Sequence, residues 1–593
     1  MAIPGASVSI LDGQIGIVTP SVGNSTITFG MSSKAVPNTL YGGYQGNLTQ
    51  LSTDLGYGPG VEALALKVAN GGGPHYFMMP TPTYDGALSA VTTVASGAGT
   101  MTVAMAPAST ITIVCTTTGA LATAAFTYQI GSGSVSSPVL SAAAYTSTGW
   151  LIPGTLTTLI FTAGNGFDAT DTWTISNIGV ITHTVTSGSK TGAISSQTSQ
   201  PFDDYTVRVQ CTATGAPATG TFKFATDNFY ADDGTDLSNW SSSIVIPGSP
   251  YKYALPNTGI YLIFVNSSYT SGDYFTFTSI ASGFSTGNVT AAFTALLALS
   301  TDYGGGHLAA MPVSSSGGAT MATTVDGNMT TALAAKKFIW WMTDTPTVGS
   351  RILSGGLPIA DTADTDSVVA AAFVSTTYLR TCTGAGDALI SSPINGRLCR
   401  RPAAWLASAR AGAVGISHNL QRVLDGALPF VVKLYRNENS TQALDAARLI
   451  TLRTVPGKGG YYITRGRTLA DNTSDFSNFM HRRVMDETCR VVVAAAGDLI
   501  GESVPLNSNG TIQEGAAQVI ESNINSKVVA SIIDAGDASR SASGQYVTVD
   551  RTHNIAADST INISVKIIPL GTLDTIAVTI GYSIETAATT AAA

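Results

Sequence analysis

The chain has 593 residues, a formal net charge of −8, 44% hydrophobic and 11% charged side chains. That length exceeds what a single hydrophobic core covers, so several modules are expected. The acidic balance excludes general nucleic-acid binding, which needs a basic field to displace counterions, and the sparse charge with a positive mean hydropathy points to a surface that meets other protein.

No apolar run reaches the length of about 18 residues that a membrane helix needs, so no direct membrane insertion is expected. The opening MAIPGASVSILDG lacks the basic start and apolar stretch of a signal peptide, which predicts a product made in the cytosol.

The first elements are strands. Apolar alternation at Val8 and Ile10, again at Ile15 and Ile17, and then over 27–29 predicts β structure. GVEALALKVAN follows as an apolar helix stopped by the glycines at 71–73. From residue 87 to about 283 the texture turns to Ser, Thr, Gly and Ala, with Lys190, Arg208, Lys223 and Lys252 as its basic residues. This is an all-β region.

It also repeats itself. TIVCTTTGALATAAFTY around Cys115 returns as RVQCTATGAPATGTFKF around Cys211, and LIFTAGNGFDATDTWTI near Trp173 returns as LIFVNSSYTSGDYFTFT near Phe275. The spacing of about a hundred residues fits one small β-sandwich per copy, over 86–195 and 196–285. Asp171 and Asp273 are expected in turns, bonding local backbone. The carboxylate ladder of a calcium loop is missing.

After the repeats, a helix near 289–299, a strand in LAAMPV, a helix in NMTTALAAKK and the strand FIWWMTDTP give β–α–β order, which predicts a sheet with helices packed on it. Two core helices follow. One covers about 474–496 with Phe476, Phe479, Met480 and Val484 on one face. The other opens on a capping box, Thr511 to Glu514, and places Ile512, Ala516, Val519 and Ile520 on one stripe.

The chain closes on INISVKIIPLGTLDTIAVTIGYSI. Alternation at Ile561, Ile563, Val565 and Ile567, and again at Ile576, Val578, Ile580, Tyr582 and Ile584, flanks Pro569 and Gly571 and predicts a β-hairpin. Covering one such face is worth on the order of 10 kcal/mol, and left bare it is an aggregation site. A lone hairpin is marginally stable, so this one calls for a further strand or sheet. The last residues, TAATTAAA, read as a loose tail.

Signs of catalysis are missing. The six histidines are far apart, with no zinc-motif spacing. GYGPG and GSGSVSS precede no lysine, so neither is a phosphate loop, and Cys382 has no evident catalytic partner. The reading is no enzyme, no cofactor and no metal. The five cysteines are too scattered for a disulfide framework; buried thiols are expected, with a bridge between subunits as the alternative.

Basic residues crowd the stretch from Arg397 to Arg490. Either this is a solvated face or it docks on a neighbour's acidic surface, in which case Arg465, Arg467, Arg482 and Arg483 are the candidates. Arg482 with Asp486, and Arg483 with Glu487, stand four apart and are expected to pair.

Around the repeats stand PGASVSILDGQIGIVTPSVGNSTITFGMSSKAVPN, LGYGPGVEALALKVANGGGPHYFM, the strand ending in Asp-Thr-Pro at 344–346, GGYYITRGRTLADNTSDFSNFMHRRVMDET and the closing hairpin. In this order they resemble contractile phage tail sheath proteins. The resemblance implies a mixed α+β multidomain chain. An α/β sheath core is formed by both chain ends (1–85, a middle part 286–400, and 401–585 with the terminal hairpin, then a tail 586–593), with two tandem all-β sandwiches inserted.

The resemblance further implies a structural subunit that polymerises as a helical tube around a tail tube and contracts to drive that tube through the host envelope. The expected partners are itself in hexameric rings, the tail tube protein, and baseplate and tail terminator proteins, in a virion assembled in host cytoplasm. Subunits would be linked by strand exchange through Val8, Ile10, Ile15 and Ile17 at one end and Ile563, Val565, Ile567, Ile576, Val578 and Ile580 at the other. The alternative is a phage tail or surface adhesin with carbohydrate-binding sandwiches.

Overall fold

A computed structural model gives the fold of residues 22–572, apart from stretches within 84–200, 227–239, 311–314, 346–365, 436–440 and 534–540 and single positions at 250 and 282. Val8, Ile10, Ile15 and Ile17, the closing run with Ile576, Val578 and Ile580, and the tail 586–593 lie outside the described residues. The chain divides into two compact units, Met1–Ala494 and Ala495–Ala593.

The first unit is organised by a six-stranded sheet. Its strands are β1 (Thr26–Gly30), β2 (Leu40–Tyr44), β3 (His75–Met78), β4 (Gly305–Ala309), β5 (Trp340–Asp344) and β6 (Thr381–Gly384), in the order β2, β3, β1, β4, β5, β6. All neighbours run parallel except β2 and β3. Every residue of β1, β4 and β5 is buried, because a parallel sheet is covered on both faces and its strands lose the apolar–polar alternation of a half-exposed strand. β1 lies between β3 and β4, so segments from either side of the repeat region share one sheet.

Helices supply the cover. The predicted apolar helix is α2 (Pro59–Asn70), preceded by α1 (Leu48–Leu55). Beyond the repeats come α3 (Thr286–Leu297), α4 (Ser315–Ala334), α5 (Ala403–Ala413) and α6 (Phe479–Gly497). Adjacent tryptophans point to opposite faces, as strand geometry requires. Trp341 packs on Phe29 and Phe293 with ring centroids 4.9 and 4.4 Å away, while Trp340 shares the other cluster with Trp405, Leu66 and Phe479. Glycine makes room for both indoles: a Cβ on Gly305 would come within 2.2 Å of the Trp340 ring, and one on Gly306 within 2.3 Å of Trp341.

The duplication is visible in strand pairing. The strand Ile111–Thr117 pairs antiparallel with Ala125–Ile130 and Thr172–Ile175, with an irregularity between Cys115 and Thr117. In the second copy Thr206–Ala213 pairs with Thr221–Ala225 and Tyr274–Ile280, with the irregularity between Cys211 and Ala213. The amide of Cys115 donates to Asp171 O at 2.9 Å and that of Cys211 to Asp273 O at 2.8 Å. As expected, Asp273 binds local backbone, accepting from the Thr270 amide at 2.8 Å.

The boundary between the copies differs from the sequence reading. Strands at 87–88, 92–94 and 101–105, assigned to the first sandwich, pair with Tyr274–Ile280 and Ile260–Phe264 of the second. Long-range antiparallel pairing, which local repeats cannot report, nests the first copy inside the second.

In the second unit α7 (Glu514–Val528) packs beside a two-stranded antiparallel sheet of Ala542–Val549 and Ile563–Pro569. The capping box does not form. Gln513 is the N-cap, without a side-chain bond to the helix, and the Thr511 hydroxyl donates to Asn509 Oδ1 at 2.8 Å instead. The buried stripe is Ala517, Ile520, Ile524 and Val528, while Val519 is 68% exposed; the inward face continues at three- and four-residue steps through Ile524 and Val528 rather than through Ala516 and Val519.

Candidate interaction surfaces

Asp344 and the two buried histidines of the core sheet are hydrogen-bonded within the fold. Asp344, from the Asp-Thr-Pro strand end, accepts from Trp405 Nε1 on α5 at 3.1 Å and bonds His307 Nε2 on β4 at 2.7 Å. Burial pulls the His307 pKa down, against the attraction of Asp344. His75 bonds the Thr26 hydroxyl through Nδ1 at 2.9 Å and Gly71 O through Nε2 at 3.3 Å, and burial with the nearby Lys67 charge lowers it to about 4. Lys67 itself is fully buried on α2, donates to Ile27 O at 3.2 Å, and is brought down to about 7 by desolvation. His307 and His75 are wholly enclosed.

The basic segment turns inward. Arg397 and Arg401, on the strand Leu398–Pro402 and just before it, meet Glu62 of α2 and Asp203 of the second sandwich. Arg397 Nη1 lies 2.6 Å from Asp203 and 3.1 Å from Glu62. Arg401 lies 2.6 Å from Glu62 and also donates to Asp203. Burial works against the Asp203 carboxylate, but the Arg401 and Arg397 guanidiniums hold its pKa below the usual range. Arg397 further donates to Thr226 O at 2.8 Å and stacks 4.4 Å from the Tyr205 ring. Sandwich and core are thereby joined by buried ion pairs. Glu62, Asp203 and Cys399 could also group around a metal among the described residues, but both carboxylates are held by guanidiniums, whose charge repels a cation.

The expected docking arginines divide. Arg482 and Arg483 are 4% and 1% exposed, which removes both from the surface of the folded chain. Arg482 does pair with Asp486, at 2.5 Å, as the four-residue spacing predicts. Arg483 instead donates to Ala411 O at 2.8 Å and Val414 O at 3.0 Å, closing the carboxyl end of α5, and to Asn24 at 3.0 Å. Glu487 is taken by Arg490 at 2.6 Å. Desolvation inside that carbonyl cage lowers Arg483 to about 9. Arg465 and Arg467 keep some exposure, with side chains 37% and 18% accessible, and both lie against Asp445. Helix periodicity revealed the i,i+4 spacing but not which residues face inward.

Ile563, Val565 and Ile567 sit on the strand Ile563–Pro569 in the second unit. They pair in register with Val549, Val547 and Gln545. All three are half-buried and alternate with exposed Ser564 and Lys566. The adjoining strand is fastened to α7: Arg551 binds Glu514 and Glu521 at 2.5 and 2.7 Å, and Glu521 accepts the Val549 amide at 2.7 Å. Among the described residues no third strand joins this sheet. All five cysteines are free, and Cys489 alone is not fully buried.

No family profile matches the chain, and no curated protein matches it. Among solved structures, it is similar to a sheath tail protein from Desulfitobacterium hafniense at 11% identity, over 95% of this chain and 100% of that one, with a TM-score of 0.39. It is also similar to a chain of the anti-feeding prophage baseplate at 12% identity, over 51% and 75% of the two chains, with a TM-score of 0.34. A third likeness is to a contracted sheath complex of the extracellular contractile injection system PVC, at 13% identity, over 44% and 68%, with a TM-score of 0.32.

Proposed function

We propose that the chain is a structural subunit of a contractile tail sheath, assembling with its own copies in a helical tube around a tail tube. The observation that carries this reading is where the family-like motifs lie. The strand Thr26–Gly30, the helix ending at the 71–73 glycines, Asp344 and the helix bearing Arg482 and Arg483 are distant in sequence, yet they build one sheet and its cover. The repeats, which carry none of these motifs, form sheets of their own.

In this reading the pair Ala542–Val549 and Ile563–Pro569 is a platform. Ile576, Val578 and Ile580 extend a sheet in a neighbouring copy, with the run at Val8, Ile10, Ile15 and Ile17 as the complementary arm. Main-chain bonding along an added strand gives affinity, and alternating side-chain positions give register. Contacts that repeat without closing yield a helical array. Rings of six, a tube protein inside, baseplate and terminator proteins at the ends, and location in a virion follow from this assignment, and no nucleotide is consumed.

Deleting 576–584 tests it. The truncated chain should keep the circular dichroism of the full chain and lose its striated cylinders in negative-stain images. Normal cylinders from the truncated chain would sink strand exchange, and dispersed full-length particles at high concentration would sink the sheath assignment.

A further inference from the structure

Beneath α2 and α5 the six-stranded sheet buries a row of polar side chains. Alternate residues of a strand share a face, and one face of β1 carries Thr26, Thr28 and Gly30. The Thr26 hydroxyl bonds His75 Nδ1, and a Cβ on Gly30 would come within 2.4 Å of Gly60 Cα on α2, so this face is the one that α2 covers. Thr28 lies between them. Its register partner on the parallel strand β4 is His307, so the two side chains stand side by side, and the His307 ring lies 6.2 Å from that of Trp405 on α5. Lys67 reaches in from α2 and donates to Ile27 O, the carbonyl next to Thr28, at 3.2 Å. Thr28, Lys67 and His307 are each 0% exposed.

Each of the three keeps hydrogen-bonding capacity in reserve. His307 Nε2 faces one oxygen of Asp344 at 2.7 Å, and the other oxygen accepts from Trp405 Nε1. A carboxylate only accepts, so Nε2 carries the hydrogen and Nδ1 presents a lone pair. Among the described residues, neither that lone pair nor the Thr28 hydroxyl has a hydrogen-bond partner. Lys67 uses one N–H on Ile27 O and has another to give, as an amine or as an ammonium. Burial without a partner forfeits the hydration a polar atom had in the unfolded chain, which is why such atoms are rare. Here two of them sit on register partners, with a spare donor beside them.

The chemistry of the three groups selects the ligand. An anion suits Lys67 but meets the His307 lone pair, and a cation suits the lone pair but meets the lysine. A small neutral molecule that both donates and accepts satisfies all three. We propose that Thr28, Lys67 and His307 hold an internal water, which accepts from Lys67 Nζ, donates to His307 Nδ1 and bonds the Thr28 hydroxyl. Three hydrogen bonds are the usual complement of a buried water. The water extends the chain from Trp405 through Asp344 and His307 to Lys67, so that α5, β5, β4, β1 and α2 are joined along one polar line. A fully satisfied network of this kind favours a single arrangement of the helices on the sheet, where apolar packing alone tolerates several.

The sign of one substitution in the full chain tests it. T28V keeps the shape of the side chain and removes its hydroxyl. Were that hydroxyl without a partner, the change would delete a buried unsatisfied atom and stabilise the fold; if it bonds a water, the change takes a bond from that water and destabilises. The urea midpoint of T28V should therefore fall below that of the parent, and an equal or higher midpoint overturns the proposal. A near-atomic map of the full chain should show a solvent peak about 2.6–3.2 Å from Thr28 Oγ1, Lys67 Nζ and His307 Nδ1. Ordered side chains with no peak between them, or Lys67 Nζ bonded directly to His307 Nδ1, overturn it equally.

Discussion

The core sheet and the two-stranded sheet of the second unit solve the problem of apolar strands in opposite ways. β1, β4 and β5 are buried throughout, with helices supplying what the strands lack. In the second unit the apolar residues of Ile563–Pro569 are only half-buried, and Tyr546 and Ile568 stand 62% and 42% exposed. One sheet is finished within the chain. The other is two strands backed by α7, the helix packing that such a pair needs, and the sharpest experiments ask how far that contrast extends.

The largest effect is expected where the core buries charge. Arg401→Ala leaves Glu62 and Asp203 with less compensation, and removing one partner of a buried ionic group costs about 3–5 kcal/mol. Urea unfolding measures it, and a loss below about 1 kcal/mol would show the core to be as tolerant as the second unit.

Acid should separate the two sheets next. His75, lowered from 6.5 to about 4, is disfavoured in its charged form by the fold, so its stabilisation is present above pH 6.5 and is lost as pH falls toward 4. The change is about 3 kcal/mol. It should appear as a drop in the core's melting temperature across that window, and H75F should flatten the curve.

Lys67 extends the same point to higher pH, with the same sign. A fold that lowers it from 10.5 to about 7 loses stability as pH falls through that range, because the unfolded chain takes up the proton first. Lys67→Met should therefore stabilise the protein at pH 6, on the order of 2 kcal/mol after the lost bond to Ile27 is discounted. Removing that charge should also raise the His75 pKa, which NMR titration would report. The smallest effect is expected in the second unit, where V519S should change stability by less than about 0.5 kcal/mol.

Much of the core was readable because its signals are local. The helix from Pro59, the strand from Trp340 and the spacing of Arg482 and Asp486 follow from periodicity within a few residues. What escaped was set by distant partners. Basic residues crowded in sequence suggest a wet face, yet Arg397 and Arg401 find their acids on α2 and on the second sandwich. The strands at 87–105 sit beside the first repeat in sequence and pair with the second in space. Thr511 has the chemistry of a helix cap, but Asn509 claims its hydroxyl first.

The nesting of one sandwich within the other has a consequence for how such a chain can change. The strand ending at Met105 and the strand starting at Thr206 belong to the same sandwich, so the outer module departs from and returns to a single host. Loss, exchange or further doubling of that module would lengthen or shorten an outgrowth without disturbing the strand order of the central sheet, which leaves the exterior free to diversify while the interior keeps its form.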